Sequence, residues 1–327
     1  MLISVLLASG LLAVDFSLIV PSVRALFKHK NIGSSIIYID IHKTVSYINS
    51  GNQTMKNRFW LGTVFAVLST MLLATGAVSA ADQGSPVLKG IAKTNTLRVG
   101  MSGAQAPFNM TNRDGKIIGL DVDLAQLLSN SMGVELEIVD MPFAKLLPAL
   151  EDGEVDVVMS GVTATLERNT RVPFVGPYFI SGISILSKAE TIESIDSEEE
   201  LNKGNWRIAA LKGSTSETFA ESVLKEPQMT ATDTHAEAVQ LLLDGKVDAV
   251  VADAPVCTLS VLRNPDSGLV TLNQPLTLEP IGIALAPGDP LLINLVQNYM
   301  QALAATGALE ALQAKWFNNA AWMAQMP

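Results

Sequence analysis

One nine-residue frame occurs twice in this chain. Residues 150–158 read LEDGEVDVV and residues 242–250 read LLDGKVDAV, both instances of L-x-D-G-x-V-D-x-V. Each begins as the end of an amphipathic helix, breaks at Asp-Gly, and enters an apolar run carrying one aspartate. That is a helix stop followed by a buried strand. A second echo precedes each frame: "LRVGMSG" at 97–103 and "WRIAALKGS" at 206–214. A chain that repeats a unit of this kind is expected to fold into two similar α/β halves.

Within the first half the order is strand (96–103), helix (119–133), strand (134–141), helix (143–153), strand (154–160). This βαβαβ order predicts a mostly parallel sheet flanked by helices. The chain passes to the second half near 180–188 and returns near "EPIGIALAPGD" at 279–289. Lobe 1 therefore comprises 95–185 with 278–327, and lobe 2 comprises 186–277. Ligands of open α/β sheets lie beyond the carboxyl ends of the strands, so two facing lobes form a cleft.

The N-terminal region reads differently. Residues 55–80, "MKNRFWLGTVFAVLSTMLLATGAVSA", combine a basic start, an apolar run and small residues before Ala81. This is the pattern of a cleaved secretory signal. Its internal position makes 1–54 an over-translated upstream segment. The alternative takes 2–23 as a membrane span with Arg24, Lys28 and Lys30 at its end, although Asp15 interrupts it. Both readings export the part beyond residue 80, and the expected location is the periplasm. Residues 1–80 hold six of the 22 Lys/Arg and two of the 32 Asp/Glu. The remainder carries 16 bases against 30 acids, a net charge of −14. That balance excludes nucleic acid and an anionic membrane surface as partners. His235 is the one histidine beyond residue 80 and Cys257 the one cysteine in the chain. No intrachain disulfide, multi-histidine metal site or cofactor is expected. Cys257 reads as a buried, inert thiol.

The chemistry concentrates in "MSGVTATLERNTRVPF", 159–174. A small polar turn follows a buried strand, and an arginine follows the turn. Thr165 caps a short helix, Gly161 lets backbone approach closely, and Arg168 offers a two-bonded fork to a carboxylate. The plainer reading makes Thr165 an ordinary cap and Arg168 a solvated first-turn residue.

The ordered set "LRVG", "APFN", "DGKIIGLDVDLA", "MSGVTATLERNTRVPF", "GPYF", "GSTSETF", "DGKVDAVVADAPV", "IGIAL", "PGDPLL" and "KWF" resembles the periplasmic amino-acid-binding receptors of polar amino-acid ABC importers, over about 95–318. The resemblance implies a two-lobed periplasmic-binding-protein fold that closes on a free amino acid and delivers it to an ABC permease in the inner membrane. By position, Arg168, Thr163, Ser160 and Gly161 match the turn that holds the ligand's carboxylate, and Thr215 in "KGSTSE" matches a second donor. Asp253 matches the carboxylate that holds its ammonium. Phe143 matches an aromatic wall. Gln105 stands where the opposite wall is usually aromatic, and Ser102 where receptors for basic ligands place an acid. With Lys212 near the pocket, a neutral polar or acidic side chain is expected. Thr215 and Asp253 also fit plain helix caps, and Phe143 fits core packing. His235, beside the Thr234/Glu237 capping box, reads as a solvated first-turn residue. Gly176-Pro177 reads as a turn.

An enzyme of the same fold is the runner-up, a dehydratase acting on cyclohexadienyl (arogenate-like) acids, with Glu217 as its acid. A sensor input module is third. The receptor reading implies a monomer that binds without turnover. The leader pattern generates the first prediction. Intact-mass measurement of the exported protein finds its N-terminus at Ala81 or within a residue or two; a species retaining 1–54 would refute the assignment.

Overall fold

The computed structural model describes residues 84–193, 205–223 and 228–326, together with four short strands near the N-terminus. Ile3–Ala8 pairs antiparallel with Leu11–Phe16, and Leu26–Phe27 with Ile37–Tyr38. The leader at 55–80 lies outside the described residues, as does most of 1–54.

Beyond residue 80 the two sequence repeats become two sheets. The first contains β1 (Thr96–Met101), followed by α1 (Leu120–Met132), β2 (Glu135–Asp140), α2 (Leu146–Glu151), β3 (Val157–Val158), α3 (Leu166–Asn169) and β4 (Phe174–Ser181). The second contains β5 (Ile183–Lys188), β6 (Arg207–Leu211), α4 (Thr215–Val223), β7 (Gln228–Thr232), α5 (His235–Leu243), β8 (Ala249–Asp253), α6 (Ala254–Arg263) and β9 (Leu269–Thr271). The chain returns through β10 (Glu279–Leu285) and ends with α7 (Pro290–Thr306) and α8 (Ala308–Phe317). Strand orders are β4-β10-β3-β1-β2 and β7-β6-β8-β5-β9.

Each sheet is mixed rather than mostly parallel. β1 pairs parallel with β2 and β3, and β6 with β7 and β8. The remaining pairs involve the crossing strands. β10 runs antiparallel to β3 and β4, and β5 antiparallel to β8 and β9. A strand that enters from the other lobe arrives without a crossover helix, which frees it from parallel pairing. Gly176-Pro177 is an irregularity inside β4, where the register with β10 shifts between Val175 and Phe179.

Two crossings lie side by side. A Cβ on Gly182 would sit 2.2 Å from the carbonyl oxygen of Thr277, so only glycine permits the approach. The Ile183 amide donates to Thr277 Oγ1 at 3.0 Å, and the Leu276 amide to the Ile183 carbonyl at 2.7 Å.

The core follows the apolar runs. Leu97, Val99, Met101, Leu120, Leu124 and Leu128 are fully buried in the first lobe. Ala209, Leu242, Val250 and Ala252 fill the second. α8 docks on α1 through Asp123, whose Oδ2 accepts from Lys315 Nζ at 2.6 Å and Trp316 Nε1 at 2.7 Å. Asp289 caps α7 at Leu292 and also accepts from Ser85 and from the amides of Val87 and Leu88. One carboxylate thus fastens the described N-terminal end of this unit to its final helices.

The repeated frame has a repeated physical purpose. In the first lobe Arg98 on β1 grips Asp156 of the frame: its amide and Nε donate to Oδ2 at 2.9 and 3.2 Å, and its Nη2 to Oδ1 at 2.6 Å. In the second, Arg207 on β6 grips Asp248 through the same three atoms at 2.9, 3.2 and 2.5 Å. Each fork pins the opening strand of its sequence repeat, β1 or β6, to the strand that follows the Asp-Gly break. The carboxylate is 7% exposed for Asp156 and 24% for Asp248. Arg98→Met therefore leaves a buried acceptor with a single donor and lowers stability by about 1–3 kcal/mol, at the lower end because the outer edge of Arg98 is in water. Arg207→Met costs less. Denaturant midpoints check this, and an unchanged midpoint for Arg98→Met would refute it.

Candidate functional site

The polar turn after β3 is built on a buried carboxylate. Asp121, in the first turn of α1, is fully buried. It accepts from Tyr178 Oη at 2.6 Å and from Asn109 Nδ2 at 2.8 Å. Tyr178 in turn accepts from the Gly161 amide at 3.3 Å. Asn109 Oδ1 accepts from Ser102 Oγ at 3.1 Å, and Ser102 Oγ accepts from Ser160 Oγ at 3.2 Å. The Ser102 amide donates back to Ser160 Oγ at 3.0 Å. A closed polar network therefore runs from Asp121 to both residues that open the turn. Burial pushes the Asp121 carboxyl up to about 6, while the bonds from Tyr178, Asn109 and Gly161 oppose it.

Ser160, Gly161, Thr163 and Arg168 come together on this support. Gly161 has φ +61°, and a Cβ there would lie 2.7 Å from the Gln105 amide group. Gln105 is packed directly over the turn. Thr165 caps α3, accepting from the Arg168 amide at 3.1 Å, which orients the arginine. Arg168 is half-buried and not solvated: Nη1 donates to the Thr163 carbonyl at 2.9 Å. Its Nη2 crosses to the other lobe and donates to the Gly213 carbonyl at 3.0 Å. Burial lowers its pKa, and the carboxylates of Glu279, Glu167 and Asp253 pull the other way.

The second lobe supplies Thr215 and Asp253. In "KGSTSE" the cap is Ser214, which accepts from the Glu217 amide at 3.1 Å, while Glu217 returns a carboxylate oxygen to the Gly213 amide at 2.6 Å. This capping box leaves Thr215 at the helix start. Asp253 ends β8 at the N-cap position of α6, yet its side chain makes no capping bond. It accepts from Ser181 Oγ at 3.1 Å and, across the cleft, from Gln105 Nε2 at 3.0 Å. Burial, partly relieved by Ser181, pushes its carboxyl up to about 7; Glu279 adds to the rise and Arg168 opposes it.

A groove of about 530 Å3 lies between the lobes, lined by Phe143, Arg168, Ser214, Thr215 and Glu279 among others. Phe143 is buried, packs with Leu146 and Val162, and also presents to the groove. Ser102 is tied to the turn by the bonds above. Lys212 is exposed and does not line the groove, nor do Ser160, Gly161, Thr163, Gln105 and Asp253. Cys257 is buried, with its thiol pushed up to about 12 by burial.

His235 departs from its sequence reading. The Thr234/Glu237 capping box is present, but the imidazole is 5% exposed and neither nitrogen has a hydrogen-bond partner among the described residues. Burial lowers its pKa to about 4. The face of α5 that looked solvated packs toward the lobe-1 hairpin at Ala104–Gln105, a contact between residues far apart in sequence.

Four residues escaped the sequence reading: Asp121, Tyr178, Ser181 and Glu279. The first two lie inside the quoted stretches "GLDVDLA" and "GPYF", where a lone acid and a tyrosine interrupt apolar runs. Glu279 heads an apolar strand, and that isolated charge was the available signal.

Residues 97–319 match the family model described as bacterial extracellular solute-binding proteins, family 3. A probable histidine-binding protein of Neisseria gonorrhoeae is 27% identical over 267 residues, covering 80% of this chain and 97% of that protein. A cyclohexadienyl dehydratase of Pseudomonas aeruginosa is 26% identical over 253 residues, covering 77% and 93%. The crystal structure of an ancestral amino acid-binding protein, a precursor of cyclohexadienyl dehydratase, superposes with TM-score 0.64 at 36% identity, covering 70% of this chain and 99% of that one.

The raised carboxyl of Asp253 gives a pH prediction. A cation pairs with the ionised form, so below about 7 a bound proton must be displaced first. Affinity for a cationic head group then falls as pH falls, approaching tenfold per unit. Calorimetric titrations from pH 5 to 8 in buffers of different ionisation heat check it, with proton release on binding at the acid end. A flat profile without proton release would refute the assignment.

Proposed function

The chain belongs to the bacterial extracellular solute-binding proteins, family 3, and from that premise we propose that it is the binding component of an amino-acid ABC importer. It captures a free amino acid between its lobes and hands it to a permease in the inner membrane. The observation that carries this reading is the pair of opposite charges on opposite lobes: Arg168 after β3 in the first, Asp253 at the end of β8 in the second. A zwitterion satisfies both at once, with Thr163, Thr215 and the turn at Ser160–Gly161 as further donors to its carboxylate. Lobe 1 (95–185 with 278–327) and lobe 2 (186–277) close about the paired crossings at Gly182 and Thr277. The ligand drives closure only through its greater affinity for the closed form. The leader pattern at 55–80 supports a periplasmic location, and we take the receptor to act as a monomer.

Binding without turnover is the reading we keep. A dehydratase is a relative, but the carboxylate of Glu217 is committed to its capping box, and no observation in the cleft favours it as an acid. The relatives' ligands support an amino acid as the solute class.

Titration of the purified protein with the amino acids tests the proposal, alongside small-angle scattering. A ligand that binds also compacts the protein. Arg168→Ala and Asp253→Ala each weaken binding by roughly 30-fold or more, since truncating one partner of a desolvated charge pair costs about 2–5 kcal/mol. Arg168→Ala reduces the penalty for amidating the ligand's carboxylate, and Asp253→Ala the penalty for acetylating its amine. Unchanged affinity in either variant with native stability would remove that residue from the site.

A further inference from the structure

The cleft holds one acid more than an amino-acid head group can satisfy. The ligand's carboxylate pairs with Arg168 and its ammonium with Asp253, one to one. Glu279 is left over. It opens β10 and is 7% exposed. Its Oε1 accepts from Thr277 Oγ1 at 3.1 Å, and its Oε2 accepts from no donor among the described residues.

The strand register sets Glu279 beside residues that hold the two clamps. Glu279 is the ladder partner of Ser181, whose hydroxyl holds Asp253. Two residues on, Ile281 bridges Thr163, whose carbonyl holds Arg168. Glu279 lines the same groove as Arg168, Thr215 and Phe143, and its charge is felt by both Arg168 and Asp253. Arg168 is the nearest cation, but its Nη atoms donate to the Thr163 and Gly213 carbonyls, and the ligand's carboxylate claims it on binding. Arg171 pairs with Glu151 at 2.6 Å, and Lys212 is exposed outside the groove.

A buried carboxylate that shares its one nearby cation with a ligand's carboxylate is costly, and the cost is relieved by a partner that brings another. An acidic ligand adds a further negative charge to the cleft. A neutral one leaves Glu279 unpaired. We propose that Glu279 is a recognition site for a second positive charge, so that the amino acid bound carries a guanidinium or ammonium side chain. Phe143 gives the aliphatic stem of such a side chain an apolar wall. The inference rests on the amino-acid-receptor reading and replaces the neutral or acidic preference drawn from Ser102, Gln105 and Lys212. The acid missing at position 102 is supplied from β10.

Calorimetric titration of the wild-type protein and of Glu279→Gln and Glu279→Asp with L-arginine, L-lysine, L-glutamine and L-glutamate tests it, with a melting temperature for each protein. In the wild type, arginine or lysine binds at least tenfold tighter than glutamine, and glutamate binds weakest. Glu279→Gln loses at least tenfold for the cationic ligand and holds or gains for glutamine. Glu279→Asp keeps the wild-type order, which separates loss of charge from loss of fold. Glutamine or glutamate outranking both cationic ligands in the wild type would overturn the inference, as would a natively melting Glu279→Gln with the wild-type order. Failure of all twenty amino acids to bind would remove the receptor reading with it, whereas binding in the wrong order removes this inference alone.

Discussion

The buried carboxylate of Asp121 is the constraint on which the site depends. A charge in the first turn of an apolar helix is tolerated only where donors surround it. Here they come from the strand Asn109–Thr111, through Asn109, and from β4, through Tyr178. Those donors also hold the two residues that open the polar turn, Ser160 through Ser102 and Gly161 through Tyr178. Satisfying one buried acid thereby fixes the backbone from which Arg168 projects. The arrangement is directional: the core sets the turn, the turn sets the cap at Thr165, and the cap sets the guanidinium.

The two Arg–Asp forks do for each lobe what Asp121 does for the site. They explain why the Asp-Gly frame and the strand-opening arginine travel together in the sequence. The helix stop ends α2 or α5, the frame's aspartate enters the sheet, and an arginine one strand away closes on it. The duplicated architecture was legible for this reason. It is written in short local units whose apolar period, break and charge all agree.

Less legible were groups whose role is set by contacts between distant segments. The sheets' mixed direction comes from strands that enter from the other lobe, which a local βαβ count does not register. Lys212 lies beside the turn at Gly213–Ser214, yet it is exposed and does not line the groove. His235 follows a genuine capping box and still faces a hairpin of the other lobe. Glu279 and Ser181 meet only because β10 returns beside β4. Arg168, Asp253 and the turn at 160–163 were legible because each sits at a strand end followed by helix-cap chemistry, a pattern contained within ten or so residues. Ser102 and Gln105 were read as pocket residues, and their side chains hydrogen-bond to Asn109 and Asp253.

Two of the bonds that join the lobes use side chains of the proposed site. Gln105 donates to Asp253, and Arg168 donates to the Gly213 carbonyl. The amide of Gln105 holds Asp253, and the Gly213 carbonyl holds one edge of the Arg168 fork. Any group that pairs with Asp253 or with that edge of Arg168 exchanges a bond between lobes for its own, so exchange at either side chain is mechanically coupled to the contact between the lobes.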